Sequence, residues 1–143
     1  PTSAPPTDRL GYLLDFVRTL AEHGGNYVRF RTDLAYEALE SAPDLGAEYL
    51  GVGFYQQQIA FEIDSVLSQA EALGVYVQMS LYNEDCIIND GRPDKMHFSP
   101  FLKSHGGPLN DKDSYEQFWV NHKAMALVQD KMRYYFARWG YSR

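Results

Sequence analysis

Arg29 is the residue whose type and position most directly suggest chemistry. It lies in the alternating segment 26–31, on the same face as Tyr27 and Arg31. If that face points into the interior of the fold, the guanidinium must be paired, and a carboxylate is its natural partner. Arg29 would then orient a catalytic carboxylate and keep it ionised, and a purely structural ion pair is the alternative. Arg31 lies nearer the following loop, where we expect it on the surface or against a substrate.

An Asn-Glu pair, Asn83-Glu84, follows the second alternating segment, 75–82. Folds with parallel strands place catalytic groups at the carboxyl ends of the strands, so Glu84 could act as a general acid with Asp85 beside it. One alternative is a substrate contact through Asn83 or Glu84. The other is that these acidic residues are simply solvated at the start of a polar loop.

Tyrosine is abundant, with 11 residues in the chain. Its ring offers an apolar face with a polar rim, which suits the surface of a sugar or a peptide, and ordinary packing or interface use is the equal alternative. Tyr82, at the end of the second strand, is expected on the inward polar face. The loop aromatics could equally stack on sugar rings or pack within their loops, and they are Tyr36, Tyr49, Phe54 and Tyr55.

The histidines and the single cysteine do not form a metal-ligand pattern. None of His23, His97, His105 and His122 has a partner at ligand spacing, and Cys86 cannot form an internal disulfide. We therefore expect neither a metal nor another cofactor. We expect His122, on the apolar stripe of a helix, to be a core residue.

Length and charge narrow the classes of function. The 143 residues make one domain at most, well short of the roughly 250 residues of a complete eight-stranded barrel. A net charge of −6 and the lack of a basic stripe argue against nucleic acid and anionic membranes as partners. No apolar run reaches the roughly 18 residues of a membrane helix, and the Pro-rich lead-in 1–7 lacks the pattern of a signal peptide.

Hydrophobic spacing predicts three helices that alternate with two strands. In chain order these are a helix from Thr7 or Asp8 to Gly24-Gly25, a strand at 26–31, a helix at 56–73, a strand at 75–82 and a helix at 114–139. The stripe that the last helix is expected to bury comprises Phe118, His122, Met125, Gln129, Met132 and Phe136. This order predicts parallel strands joined by right-handed crossovers.

Each strand is entered through a short turn and left through a long loop, which is 83–113 after the second strand. This asymmetry is typical of a (β/α) barrel, and so is a polar second face on each strand. An open doubly wound sheet would usually bury both faces in apolar residues. The sequence therefore predicts an α/β fold, a partial (β/α)8 TIM barrel over 1–143. The remainder of the barrel or other chains would cover the sheet edges.

Several stretches resemble the retaining (β/α)8 glycoside hydrolases of the cellulase and mannanase group, especially bacterial cellulase-like members. Residues 24–30, Gly-Gly-Asn-Tyr-Val-Arg-Phe, look like their second barrel strand, and 63–77 looks like the next helix and third strand. The most specific match is Gly106-Gly107-Pro108 together with 132–142, which resembles the segment that leads into the fourth strand. The resemblance implies that Arg29 lies near the nucleophile and that both catalytic glutamates lie beyond this chain.

The resemblance also bears on Asn83-Glu84, which lies one barrel unit too early to be the family's acid/base pair. These two residues, with Tyr82, Tyr55 and Arg31, are then expected to line a sugar cleft. The parent protein would hydrolyse O-glycosidic bonds of a poly- or oligosaccharide by a two-glutamate retaining mechanism, and this segment alone would be inactive.

Two other classes of function are compatible with the sequence. One is a non-catalytic carbohydrate-binding module or a barrel module completed by a partner, and the other is a different barrel enzyme such as a sugar isomerase. A secreted or periplasmic location is expected only by analogy with polysaccharide-degrading relatives.

Overall fold

A computed structural model describes residues 8–32, 39–40, 51–82, 87 and 99–142. Its elements are α1 (Arg9–Glu22), β1 (Tyr27–Arg31), α2 (Gln57–Ala72), β2 (Tyr76–Ser80), a 3₁₀ turn (Lys103–His105), α3 (Tyr115–Val120) and α4 (His122–Trp139). The predicted mixture of helices and parallel strands is confirmed. Within these ranges, no helix combines the length and apolar character needed to cross a membrane.

The two strands form a parallel pair, with Tyr27 of β1 opposite Tyr76 of β2. A glycine stands between each strand and the helix before it. Gly24 and Gly74 have φ angles of 79° and 70°, a left-handed conformation that glycine adopts without a steric penalty. Each helix therefore ends abruptly, and the chain turns directly into the next strand.

The apolar face of the strand pair packs against helices. Near α1, Val28 and Val77 contact a buried cluster of Val17, Val66, Ala70 and Val75. Near α4, a second cluster buries Leu39, Ile59, Ala60, Ile63, Leu67, Tyr135 and Trp139, with Phe30, Val77 and Met79 against it. Burying an aliphatic or aromatic side chain of this size contributes roughly 1.5–3 kcal/mol, so these contacts fix the strands on the helices.

Two bidentate ion pairs anchor helices to α2. Arg9 of α1 donates to both carboxylate oxygens of Glu62, at 2.6 and 2.7 Å. Arg138 of α4 donates to both oxygens of Asp64, at 3.1 and 2.8 Å, and Trp139 donates its indole N–H to the same group at 2.6 Å. Burial alone would raise the pKa of each carboxyl group. The hydrogen bonds and charge of the arginines outweigh burial and lower both pKa values below their ordinary range.

The prediction of one continuous helix at 114–139 is wrong, because Asn121 separates α3 from α4. Asn121 is extended, with φ −80° and ψ 107°, and its side-chain oxygen accepts hydrogen bonds from the backbone N–H groups of Lys123 and Ala124, each at 3.1 Å. Asparagine competes with the helical backbone in this way, which disfavours it inside a helix and favours it as an N-cap.

The predicted buried stripe of this region is wrong over most of α4. The predicted members that are exposed are His122, Gln129, Met132 and Phe136, so His122 is not a core residue. The residues of α4 that are buried are Ala124, Lys131, Tyr135 and Trp139. Because α4 restarts after Asn121, its phase is independent of the buried Phe118 in α3. A lysine on the buried face also interrupts its apolar spacing, so the hydrophobic pattern does not select that face as the buried one.

A tight turn at Gly106-Gly107-Pro108 closes a small apolar cluster ahead of α3. Gly106 has a φ of 83°, and a Cβ on Gly107 would lie 2.0 Å from the carbonyl carbon of Phe101. The turn therefore needs glycine at both positions. It brings Leu102 and Leu109 together in a β-bridge, and Phe101, Leu102 and Leu109 pack with Phe118.

Candidate functional site

The face of the strand pair opposite the helices is polar and open. Its cross-strand pairs are Tyr27 with Tyr76, Arg29 with Gln78, and Arg31 with Ser80. The two tyrosines are 56% and 57% exposed, and the hydroxyl of Tyr27 donates to the side-chain oxygen of Gln78. The predicted division of each strand into an apolar and a polar face is therefore confirmed.

Arg29 lies at the centre of this polar face and is exposed. Its Nη2 lies 3.5 Å from Oγ of Ser80 in the neighbouring strand. Among the described residues, no carboxylate forms an ion pair with Arg29. Arg31 lies one step further along the same face and is partly buried, opposite Ser80. The sheet thus presents a positively charged row of side chains beside hydroxyl and amide groups.

Beyond the carboxyl ends of the strands lies a buried ion pair. Oε2 of Glu40 is 3.2 Å from Nζ of Lys131, and each side chain is only 1% exposed. The backbone N–H of Gly53 donates to Oε1 of Glu40 at 2.7 Å, and the hydroxyl of Tyr82 donates to Oε2 at 3.1 Å. Nζ of Lys131 also lies 3.9 Å from the centroid of the Tyr82 ring. Glu40 therefore joins the segment after β1 to Tyr82, which follows β2, and to α4.

Tyr82 and Tyr55, both predicted to contact a substrate, have defined partners within the chain. The hydroxyl of Tyr82 is occupied by Glu40, and the ring centroid of Tyr55 is 4.5 Å from that of Tyr134. Burial and then the charge of Glu40 raise the pKa of both tyrosines well above the ordinary value of 10.0. Both phenols stay neutral near neutral pH, so they can donate hydrogen bonds but cannot serve as bases.

Thr32, directly after β1, joins both strand ends to α4. It is fully buried, and its Oγ1 donates to the carbonyl oxygen of Ser80 at 2.9 Å. That leaves its oxygen to accept from the hydroxyl of Tyr135. The backbone N–H of Leu39 donates to the carbonyl oxygen of Thr32 at 3.2 Å, so the chain returns to the strand end after the intervening segment.

Several predicted site residues lie outside the described residues. These are Asn83, Glu84, Asp85, Cys86, His97, Tyr36 and Tyr49. Phe54 is described and is 62% exposed. In the described ranges, no group of three or more His, Cys, Asp or Glu residues is arranged to hold a metal ion.

The Glu40–Lys131 pair was not anticipated from the sequence, although one signal could have indicated it. Lys131 lies at helical spacing from Ala124, Tyr135 and Trp139. Choosing that face of α4 as the buried one would have placed a lysine in the core, where it needs a carboxylate. Nothing in the sequence around Glu40 identifies it as that partner.

The described residues therefore combine an open polar face with a buried ion pair beyond its carboxyl end. The polar face carries arginine, amide and hydroxyl groups and no carboxylate among its described members. Its described side chains could bind hydroxyl-rich or anionic groups, and they do not include the pair of carboxylates that acid/base chemistry on a sugar requires. No family model, curated protein or solved structure matches this chain.

Proposed function

We propose that this chain is part of a retaining glycoside hydrolase that cleaves O-glycosidic bonds of a poly- or oligosaccharide. In this proposal it forms the part of a (β/α)8 barrel from the first helix to the third. The observation that carries it is the parallel strand pair with helices on one face and an exposed row containing Arg29 on the other. A barrel interior that becomes polar toward the catalytic end of its strands has this arrangement.

Arg29 has the most direct role in the proposed chemistry. In retaining hydrolysis, one carboxylate attacks the sugar while a second carboxyl group, about 5 Å away, acts as acid and then as base. A guanidinium beside the attacking carboxylate lowers its pKa and fixes its orientation. Arg29 is exposed and has no carboxylate partner among the described residues, which suits a nucleophile supplied by a later part of the polypeptide.

The buried Glu40–Lys131 pair and Tyr82 would support the sugar cleft. Glu40 holds Gly53, Tyr82 and Lys131 of α4 together, so it ties described residues that follow both strands to the last helix. Tyr82, Tyr55, Arg31 and the Asn83-Glu84 pair would line the cleft.

A second candidate function is carbohydrate binding without catalysis. It is favoured by Tyr27 and Tyr76, which lie directly opposite each other and are both more than half exposed. Such a pair offers two apolar ring faces with polar rims to a sugar. A parent protein that binds an oligosaccharide but never hydrolyses it would support this alternative.

Turnover of an aryl glycoside tests the proposal. The assay compares the parent polypeptide, its Arg29→Met variant and the present 143 residues. Arg18→Met serves as the control, because Arg18 pairs only with the exposed Asp15 in the described structure.

We expect turnover by the parent and none by the 143 residues alone. Arg29→Met should lower kcat by about 100-fold with little change in KM, as when one electrostatic group at a reacting centre is lost. Arg18→Met should leave both constants unchanged. Equal kcat in the Arg29 variant and the parent would contradict the role of Arg29, and turnover by the 143 residues would contradict the expected position of the catalytic carboxylates.

A further inference from the structure

The two side chains of the central cross-strand pair, Arg29 and Gln78, are hydrogen-bonded toward opposite ends of the sheet. Nη2 of Arg29 donates to Oγ of Ser80 at 3.5 Å, and Ser80 lies two residues beyond Gln78, at the carboxyl end of β2. The amide oxygen of Gln78 instead accepts from the hydroxyl of Tyr27, at the amino end of β1. The guanidinium of Arg29 is therefore directed toward the end at which parallel-strand barrels place their reacting groups.

Ser80 is itself held in place by contacts that reach the last helix. Its carbonyl oxygen accepts from the backbone N–H of Thr32 at 3.2 Å and from Oγ1 of Thr32 at 2.9 Å. Thr32 is fully buried, and its hydroxyl also contacts that of Tyr135 in α4, which is 6% exposed. The backbone of Ser80 is thus fixed from the core side, while its hydroxyl lies on the polar face and contacts Arg29.

An exposed arginine needs a fixed acceptor if it is to keep one orientation. Its long side chain loses much rotamer freedom when it is ordered, so an unanchored guanidinium samples many positions. Within the described residues, the one hydrogen bond of the Arg29 guanidinium is the bond to Ser80. Gln78, directly opposite, has the only other side-chain acceptor on the facing positions of the strand pair, and Tyr27 draws that acceptor toward the amino end. Together the two contacts select one direction for Arg29.

We propose that Ser80 is a positioning residue for Arg29, and that Tyr27, through Gln78, prevents the competing orientation. The role of Ser80 is indirect. Its hydroxyl directs the guanidinium toward the carboxyl ends of β1 and β2, where the attacking carboxylate of the proposed hydrolase would lie. The inference rests on the proposed function for that carboxylate, whereas the orientation of Arg29 is measurable without turnover.

NMR of the 143-residue chain tests the orientation. Nuclear Overhauser effects from the guanidinium protons of Arg29 should be stronger to the β protons of Ser80 than to the γ protons of Gln78. Tyr27→Phe removes the hydroxyl that holds Gln78, so the balance should shift toward Gln78. Tyr12→Phe, on an exposed tyrosine of α1, is the matched control and should leave the balance unchanged. A missing effect to Ser80, or the same balance in Tyr27→Phe as in the unmodified chain, would overturn the proposal.

Kinetics of the parent polypeptide with an aryl glycoside test the consequence for the chemistry. Ser80→Ala should lower kcat by about tenfold with little change in KM, as when a group at the reacting centre is misplaced. The acid limb of the kcat profile should move to higher pH, because a poorly placed guanidinium lowers the pKa of the attacking carboxylate less. Ser80→Thr keeps the hydroxyl and should retain most of the activity.

A double variant separates positioning from a general structural role. If Ser80 acts through Arg29, Ser80→Ala should have no further effect on kcat in the Arg29→Met background. An equal loss in both backgrounds, or equal losses in Ser80→Ala and Ser80→Thr, would overturn the proposal. A parent without turnover would contradict the proposed function alone, since the NMR experiment still decides whether Ser80 orients Arg29.

Discussion

Replacing Lys131 by methionine tests whether the buried Glu40–Lys131 ion pair stabilises the fold. The ammonium group and its partner Glu40 are each 1% exposed, so the substitution leaves a carboxylate buried without its counter-charge. Glu40 would keep the hydrogen bonds from Gly53 and Tyr82, but these do not neutralise it. Breaking a buried pair from one side costs about 3–5 kcal/mol, a large part of the stability of a typical domain.

The assay is urea denaturation of the 143-residue chain, followed by circular dichroism, for a double-mutant cycle. The cycle consists of Lys131→Met, Glu40→Gln and the double variant, and the free energy of unfolding is measured for each. The double variant should recover at least about half of the loss, because it leaves no buried charge unpaired. Arg133→Met is the control, since Arg133 pairs with Asp130 on the exposed face of the same helix and should contribute less than about 0.5 kcal/mol.

Two results would refute this reasoning. One is a Lys131→Met variant that loses less than about 1 kcal/mol, since that is the range of an exposed pair. The other is a double variant whose loss equals the sum of the two single losses, because independent sites add and coupled ones do not. If Lys131→Met is unfolded without urea while the double variant and Arg133→Met are folded, the prediction holds.

Three further outcomes are expected, each read from the free energy of unfolding in urea. Gly107→Ala should lower the free energy of unfolding more than Gly24→Ala does. A Cβ at position 107 meets the Phe101 backbone at 2.0 Å, whereas a Cβ at position 24 meets open space and only the positive φ costs about 1–2 kcal/mol. Equal losses of stability in the two variants would contradict the turn geometry. Asn121→Ala should lower the free energy of unfolding by about 1 kcal/mol, and Asn121→Asp by much less, because an aspartate side chain can still cap α4. Equal losses in the two variants would show that the cap is not the source of the lost stability. The pKa values of Glu62 and Asp64 are lowered in the folded chain, so the stability from these pairs is present above the ordinary values of 4.5 and 3.8 and is lost as the pH falls through the lowered folded values. Between about pH 6 and about pH 3, the free energy of unfolding of Asp64→Asn should therefore fall by less than that of the unmodified chain. If the free energies of the two proteins fall in parallel with pH, Asp64 is excluded as a source of the pH dependence.

The elements predicted correctly are those with a regular hydrophobic spacing and a glycine that marks where the helix ends. Alternation located β1 and β2, and the turns at Gly24 and Gly74 located the ends of the helices before them. These signals are local, because a strand's two faces and a left-handed glycine are determined by a few neighbouring residues. The same alternation placed Arg29 on the polar face of the sheet, as the structure has it.

The remainder depends on contacts between distant segments. The buried face of α4 contains Lys131, whose charge is paired with Glu40, a residue far away in the sequence. A pattern that treats lysine as a surface residue selects Met132 and Phe136 instead, and these are exposed. The break at Asn121 was missed for a related reason, since one asparagine is tolerated in many helices and its capping role appears only when the backbone turns.

The proposal of a retaining glycoside hydrolase is tested by the stereochemistry of the product that the parent polypeptide forms. Proton NMR of the anomeric signal, recorded as the polypeptide hydrolyses an oligosaccharide, distinguishes retention from inversion. Hydrolysis with retention is expected: the first-formed sugar should have the anomeric configuration of the substrate, because two carboxyl groups about 5 Å apart act in sequence. Inversion, or binding of oligosaccharides with no hydrolysis, would contradict the claim that this chain is part of a retaining glycoside hydrolase.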